Sequence, residues 1–179
     1  MLRLILPLLL APIAAGAGAV ELPCEERLPE FELEDQFEDE RTQDDVLGTV
    51  SVLIWADRDA REWSDDWRDM LTAALRGQVE GDLVQIRGWA HTKGAPFFVK
   101  GRIRGSFPEE PERWAVLDWD GVFEEHFEPR EEHVTVFVFD REGCLVARES
   151  GQEVEARSVA MLVDAAQKVL VRDLGRSER

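Results

Sequence analysis

The stretch from Val50 to Met70, VSVLIWADRDAREWSDDWRDM, does most to limit what this chain can become. Val50, Val52, Leu53, Ile54 and Trp55 form an apolar run rich in β-branched residues, the composition of a strand covered on both faces. Trp63, Trp67, Met70, Leu71, Ala74 and Leu75 then recur at three- and four-residue spacing, so one stripe of the following helix can pack on that strand. The chain leaves the strand at Asp57 and enters the helix at Asp59 and Glu62, whose spacing is that of a capping box. Free N–H groups and the dipole at such a helix start stabilise negative charge, which makes this the first place to look for chemistry.

The remaining elements arrange themselves around that unit. Leu28 to Leu33 alternates apolar and acidic residues as a half-exposed strand does, and Glu34 to Glu40 reads as the polar tip of a hairpin. Asp44 to Gly48 makes a turn or short helix. Leu83 to Trp89 is a second strand, joined to the first by the helix, and a βαβ unit implies parallel neighbours. Pro96 opens a short helix over Phe97 to Arg104, Trp114 to Leu117 is a short strand, and Gly121 to Phe127 is a brief helix with Val122, Phe123 and Phe127 on one side. Val134 to Phe139, the turn Asp140 to Gly143 and Cys144 to Arg148 form a hairpin. Ser150 and Glu153 repeat the capping spacing, and Val159, Leu162, Val163, Ala166 and Leu170 give a closing helix its apolar face, with Gly175 past its end.

The first residues have one basic side chain, an apolar run broken by Pro7 and Pro12, and the small-residue end Ala17-Gly18-Ala19. This is the pattern of a secretory signal peptide over residues 1–19, followed by a tail at 20–27, one domain at 28–172 and a C-terminal tail at 173–179. Export to the periplasm or the exterior places Cys24 and Cys144 in an oxidising compartment, where a disulfide between them is chemically permitted; they form no CxxC. The formal net charge of −17 makes nucleic acid a poor partner, since little would neutralise phosphates over a contiguous surface, and an anionic membrane an equally poor one once the signal is removed.

The order of elements is that of the thioredoxin fold, an α/β three-layer sandwich with a central mixed sheet and an N-terminal β-hairpin. LPEFELEDQ resembles the opening strand of its redoxin branch, the peroxiredoxins and secreted thiol–disulfide proteins, and GTVSVLIWAD resembles its central strand. WAVLDWDGVFEEHF and HVTVFVFDREGCLV are similar to its substrate-loop segment and its last hairpin. The resemblance implies that Asp59 and Glu62 stand where the family has its two active-site cysteines, and Val134 where it has a cis-proline. Carboxylates cannot attack a disulfide or a peroxide, and a cis bond before a non-proline costs about 3 kcal/mol, so a trans peptide is expected at Val134. The resemblance also sets Cys144, after the last turn, at the sheet end opposite the lost thiols, within reach of the tail that carries Cys24. The alternative is a small apolar role for Cys144, with Cys24 free or paired between chains.

Asp57, Asp59, Glu62 and His133 fall at one end of that fold and offer donors for a divalent metal, but no compact ligand motif such as HExxH accompanies them, and the reading adopted is a capped helix with no metal. No cofactor-binding or hydrolase motif occurs, and no cofactor is expected. Pro96 to Arg104, PFFVKGRIR, is the one locally basic, aromatic stretch; it suits an acidic partner or the protein's own acidic surface, and equally an ordinary amphipathic helix. The function expected is a secreted or periplasmic, non-catalytic binding or accessory protein with an unidentified protein partner. The alternative is a divergent thiol oxidoreductase or peroxidase using Cys24 or Cys144.

Overall fold

A computed structural model describes residues 24–76 and 83–177. The signal peptide assigned to residues 1–19 lies outside the described residues. The strands are β1 (Glu32–Asp35), β2 (Glu40–Thr42), β3 (Val50–Ala56), β4 (Val84–His91), β5 (Ala115–Asp118), β6 (Val134–Phe139) and β7 (Leu145–Gly151). The α-helices are α1 (Arg61–Leu75), α2 (Lys100–Arg104), α3 (Val122–Phe127) and α4 (Ala156–Ser177).

All seven strands join one mixed sheet in the order β2-β1-β5-β4-β3-β6-β7. β3 and β4 are parallel, from Val50 opposite Val84 to Ala56 opposite Ala90, as two strands joined through a helix must be. β3 and β6 are antiparallel, with Ser51 opposite Phe139 and Trp55 opposite Thr135. The two faces of β3 explain its unbroken apolar run. Val52 and Ile54 face a core shared with Trp67, Leu71 and Leu75 of α1 and with Leu162, Val163 and Ala166 of α4. Leu53 and Trp55 face a second core with Trp89, Phe123, Phe127, Phe137 and Phe139. Truncating one such buried leucine, Leu71 for example, costs about 2–5 kcal/mol in lost transfer energy and residual cavity. Helices on both sides of a mixed sheet give the expected α/β sandwich.

Several local expectations are corrected. β1 starts at Glu32, and Leu28 and Phe31 before it are buried outside any strand, Phe31 lying edge-on to Trp89 at 4.8 Å. Asp35, assigned to the polar hairpin tip, is a fully buried strand residue. Its carboxylate accepts the N–H groups of Phe37 and Asp39 at 2.7 and 3.1 Å and pairs with Arg41 at 2.7 Å, which is how a charge is kept inside. Met70 is 44% exposed because the buried stripe of α1 runs through Trp67, Leu71 and Leu75. Ser150 and Glu153 do not cap α4: Ser150 belongs to β7, its hydroxyl 3.0 Å from that of Thr135, so cross-strand pairing overrides the local motif. α4 continues through Gly175 to Ser177, beyond the boundary expected at Arg172, since one glycine near a terminus weakens a helix without ending it.

Cys24 and Cys144 form a disulfide with Cα atoms 5.4 Å apart. The segment before β1 is held beside the last hairpin, with the Leu28 N–H donating to Gly143 O at 2.8 Å and the Leu145 N–H donating to Glu26 O at 2.9 Å. Residues 24–27, the described part of the N-terminal tail, are therefore pinned to the last hairpin.

Candidate functional site

β3, the start of α1 and the loop before β6 meet at one end of the sheet, and Asp57 ties them together. Its Oδ1 accepts the N–H groups of Asp59 at 3.0 Å and Ala60 at 2.8 Å. Its Oδ2 accepts the N–H of Glu132 at 2.7 Å. A short side chain that has just left a strand can bend back onto the next two or three amides, which is why aspartate favours such positions. Glu132 has φ +56°, in the left-handed region that costs a side-chain-bearing residue energy, and the bond from Asp57 stabilises that turn. Gln152 Nε2 donates to the Glu132 carbonyl at 3.1 Å from the other side.

The expected capping box is thus corrected. The N-cap of α1 is Ala60, without a side-chain bond, and the amides at the helix entry are served by Asp57; Asp59 is exposed and contributes its N–H rather than its carboxylate. Glu62 is exposed in the first turn. Val134 is fully buried in the core and follows a trans peptide, as expected for a non-proline residue. His133 Nδ1 lies 2.9 Å from the Glu131 carbonyl oxygen. Asp57, Asp59, Glu62 and His133 therefore share one end of the sheet but do not converge, and among the described residues no group of three or more His, Cys, Asp or Glu could hold a metal ion. Cys24 and Cys144 are at the opposite end, because Cys144 follows Phe139, which pairs with Ser51 at the start of β3.

Beside Asp57 opens a cleft of about 1070 Å³ that the sequence reading did not identify. Its floor is the sheet at Gly88, Ala90 and Ala115, and its walls are α1 and the segment containing α2. Gly88 and Ala115 face each other across β4 and β5, and a Cβ on Gly88 would come within 2.8 Å of the Ala115 Cβ and 3.0 Å of Arg68 Nη2. Glycine here makes room for a guanidinium lying on the sheet. Burial lowers the Arg68 pKa from the usual guanidinium value, and the neighbouring positive charge of Arg113 lowers it further. Arg61 donates to the Ser106 carbonyl at 2.6 Å, bridging α1 to the opposite wall. The signal for this cleft was present as Arg61 and Arg68, seven residues apart and hence on one helix face, and as the basic segment Pro96 to Arg104.

That basic segment forms a 3₁₀ turn and α2, of which no residue is buried. Arg104 pairs with Glu34 and, at 3.4 Å, with Glu38, so part of it docks on the protein's own acidic hairpin. Lys100 Nζ and the Arg104 guanidinium lie 4.5 and 5.6 Å from the Trp119 ring centroid, while Phe97 and Phe98 are left 84% and 74% exposed as an edge-to-face pair. No helix among the described residues is long and apolar enough to cross a membrane.

No protein-family model and no curated protein sequence matches the chain. Solved structures do. BsSco, a member of the Sco family of cytochrome c oxidase assembly proteins, superposes with a TM-score of 0.59 at 10% identity, covering 84% of this chain and 98% of that one. Yeast Sco1 gives 0.58 at 17% identity over 78% and 94%. The thioredoxin domain of a thiol-disulfide oxidoreductase from Bacteroides vulgatus gives 0.55 at 16% identity over 80% and 97%. At these identities the likeness establishes architecture alone, and it agrees with the sheet order, the two helical layers and the N-terminal hairpin: this chain has a thioredoxin-like fold.

Proposed function

We propose that this is an exported thioredoxin-fold protein that acts by binding a partner, without thiol chemistry of its own. The observation that carries the reading is the placement of its two cysteines: they are bonded to each other at the sheet end away from the start of α1. At that helix start, where a thiolate of this fold draws its reactivity from the dipole, the amides are served by the Asp57 carboxylate instead. Export is supported by the leader pattern of residues 1–19 and by the disulfide, which persists in oxidising compartments. The solved relatives include thiol-disulfide oxidoreductases, so the enzymatic alternative is tested directly. Alkylation of the unreduced protein followed by mass spectrometry is expected to find no reactive thiol, and insulin-reduction and peroxide-consumption assays are expected to show no turnover. Turnover abolished by Cys144→Ser would instead establish a divergent oxidoreductase.

A further inference from the structure

We propose that the cleft between α1 and α2 binds a small organic anion carrying carboxylate or phosphate groups, with the half-buried Arg68 and Arg113 as inner contacts and the exposed Arg58 and Arg102 at the rim.

The argument begins with charge balance. The chain has 38 acidic against 21 basic residues, so a surface cation has carboxylates in abundance. Several cations find them: Arg41 pairs with Asp35, Arg172 with Asp140, Lys168 with Asp164 and, at the edge of the cleft, Lys93 with Glu124 and Glu125. Around the cleft, Arg58, Arg68, Arg102 and Arg113 form no ion pair among the described residues. Asp57, which also lines the cleft, is engaged by three backbone amides. Asp65 and Asp69, on either side of Arg68 along α1, are exposed; their charges offset part of the penalty on Arg68, but neither forms an ion pair with it. A strongly acidic protein thus concentrates positive charge in one concavity.

Arg68 makes that concentration costly. It is partly withdrawn from water, and its guanidinium makes only a long hydrogen bond, from Nη1 to the Ile86 carbonyl at 3.5 Å, among the described residues. Removing a cation from water without a directly bonded counter-ion is unfavourable, and the repulsion from Arg113 adds to a penalty that the more distant Asp65 and Asp69 only partly offset. Gly88 preserves the space this guanidinium occupies. A bound anion would relieve both terms, since a guanidinium fork matches the oxygens of a carboxylate or phosphate. The volume of about 1070 Å³ is at the upper end of small-molecule clefts. Val99, Ile103 and Phe107 give an organic ligand an apolar wall. A small molecule is favoured over a protein segment because the most desolvated cation lies on the sheet at the cleft floor, where a segment spanning the rim would not reach.

This inference rests on the reading that the protein acts by binding, but its test does not involve thiols. The purified, disulfide-bonded protein is titrated calorimetrically at low ionic strength with citrate and with inorganic phosphate, and with sodium chloride at matched ionic strength. Saturable binding of citrate or phosphate is expected, whichever binds identifying the group recognised, and affinity should fall at least tenfold in Arg68→Gln and in Arg113→Gln. Because Arg102 is exposed, Arg102→Gln provides a variant whose fold is not at risk, and it should weaken binding as well. Lys168→Gln, on α4 away from the cleft, should bind as wild type. No saturation with either anion, equal heat from chloride, or unaltered affinity in folded Arg68→Gln and Arg102→Gln would each overturn the site while leaving the non-redox reading intact. Turnover in the thiol assays would overturn that reading without altering the titration.

Discussion

Asp57 Oδ2 accepts the backbone N–H of Glu132 at 2.7 Å, joining the end of β3 to a residue 75 positions further along the chain. In this fold the two segments so joined carry the helix start and the loop that faces it. One carboxylate therefore fixes the local geometry of both, and this geometry supplies the first prediction.

Asp57→Ala leaves the amides of Asp59, Ala60 and Glu132 without their acceptor. The loss should be at the top of the capping range or above it, about 2–3 kcal/mol. Asp59→Ala, at an exposed side chain, should stay within about 0.5 kcal/mol of wild type. Urea denaturation of the two variants checks the contrast, and a reversed order would restore Asp59 as the cap.

Asp118 is a second carboxylate with a full set of partners. It is fully buried, its Oδ1 accepting from Gly121 and Val122 and its Oδ2 from the Trp89 indole at 3.0 Å and the Phe123 amide at 2.9 Å. Asp118→Asn places an amide group against N–H donors on one side and should cost about 2–4 kcal/mol. Trp89 fluorescence should shift with the loss of its hydrogen bond.

Gly88→Val should destabilise by about 1–3 kcal/mol, because its Cβ would meet the Ala115 Cβ at 2.8 Å across a paired strand. Arg68→Met works in the other direction. Removing a partly desolvated cation without a carboxylate partner should leave stability unchanged or raise it by about 1 kcal/mol. Thermal denaturation of both variants distinguishes a packing role of Gly88 from a stabilising role of Arg68.

Reduction of the Cys24–Cys144 bond should lower stability by about 2–4 kcal/mol, chiefly by releasing constraint on the unfolded chain. Denaturation midpoints measured with and without a reductant give the value directly, and Cys24→Ser should reproduce it.

The sequence was most legible where one interaction dominates. The apolar run of β3 and the 3.6-residue periodicity of Val159, Leu162, Val163 and Ala166 in α4 are imposed by burial, and both elements lie where those patterns put them. Capping was misread because Asp59 with Glu62 and Ser150 with Glu153 satisfy a local spacing rule. The bonds actually formed depend on partners far away, Glu132 for Asp57 and Thr135 for Ser150. The cleft was legible only in part for the same reason: the Arg61–Arg68 spacing was visible, but Arg68 and Arg113 become neighbours only when β4 and β5 pair at Gly88 and Ala115. No spacing along the chain encodes that meeting.

The bond between Cys24 and Cys144, 120 positions apart, turns most of the domain into a closed covalent ring. β1 through β6 lie within it, together with α1, α2 and every residue lining the cleft, while α4 hangs outside. A single backbone cut at any point of the ring therefore yields one nicked molecule rather than two fragments. Its cut ends stay tethered at high local concentration, so the halves can re-form without a search through solution. Integrity of this chain under digestion should therefore depend on the redox potential of its surroundings.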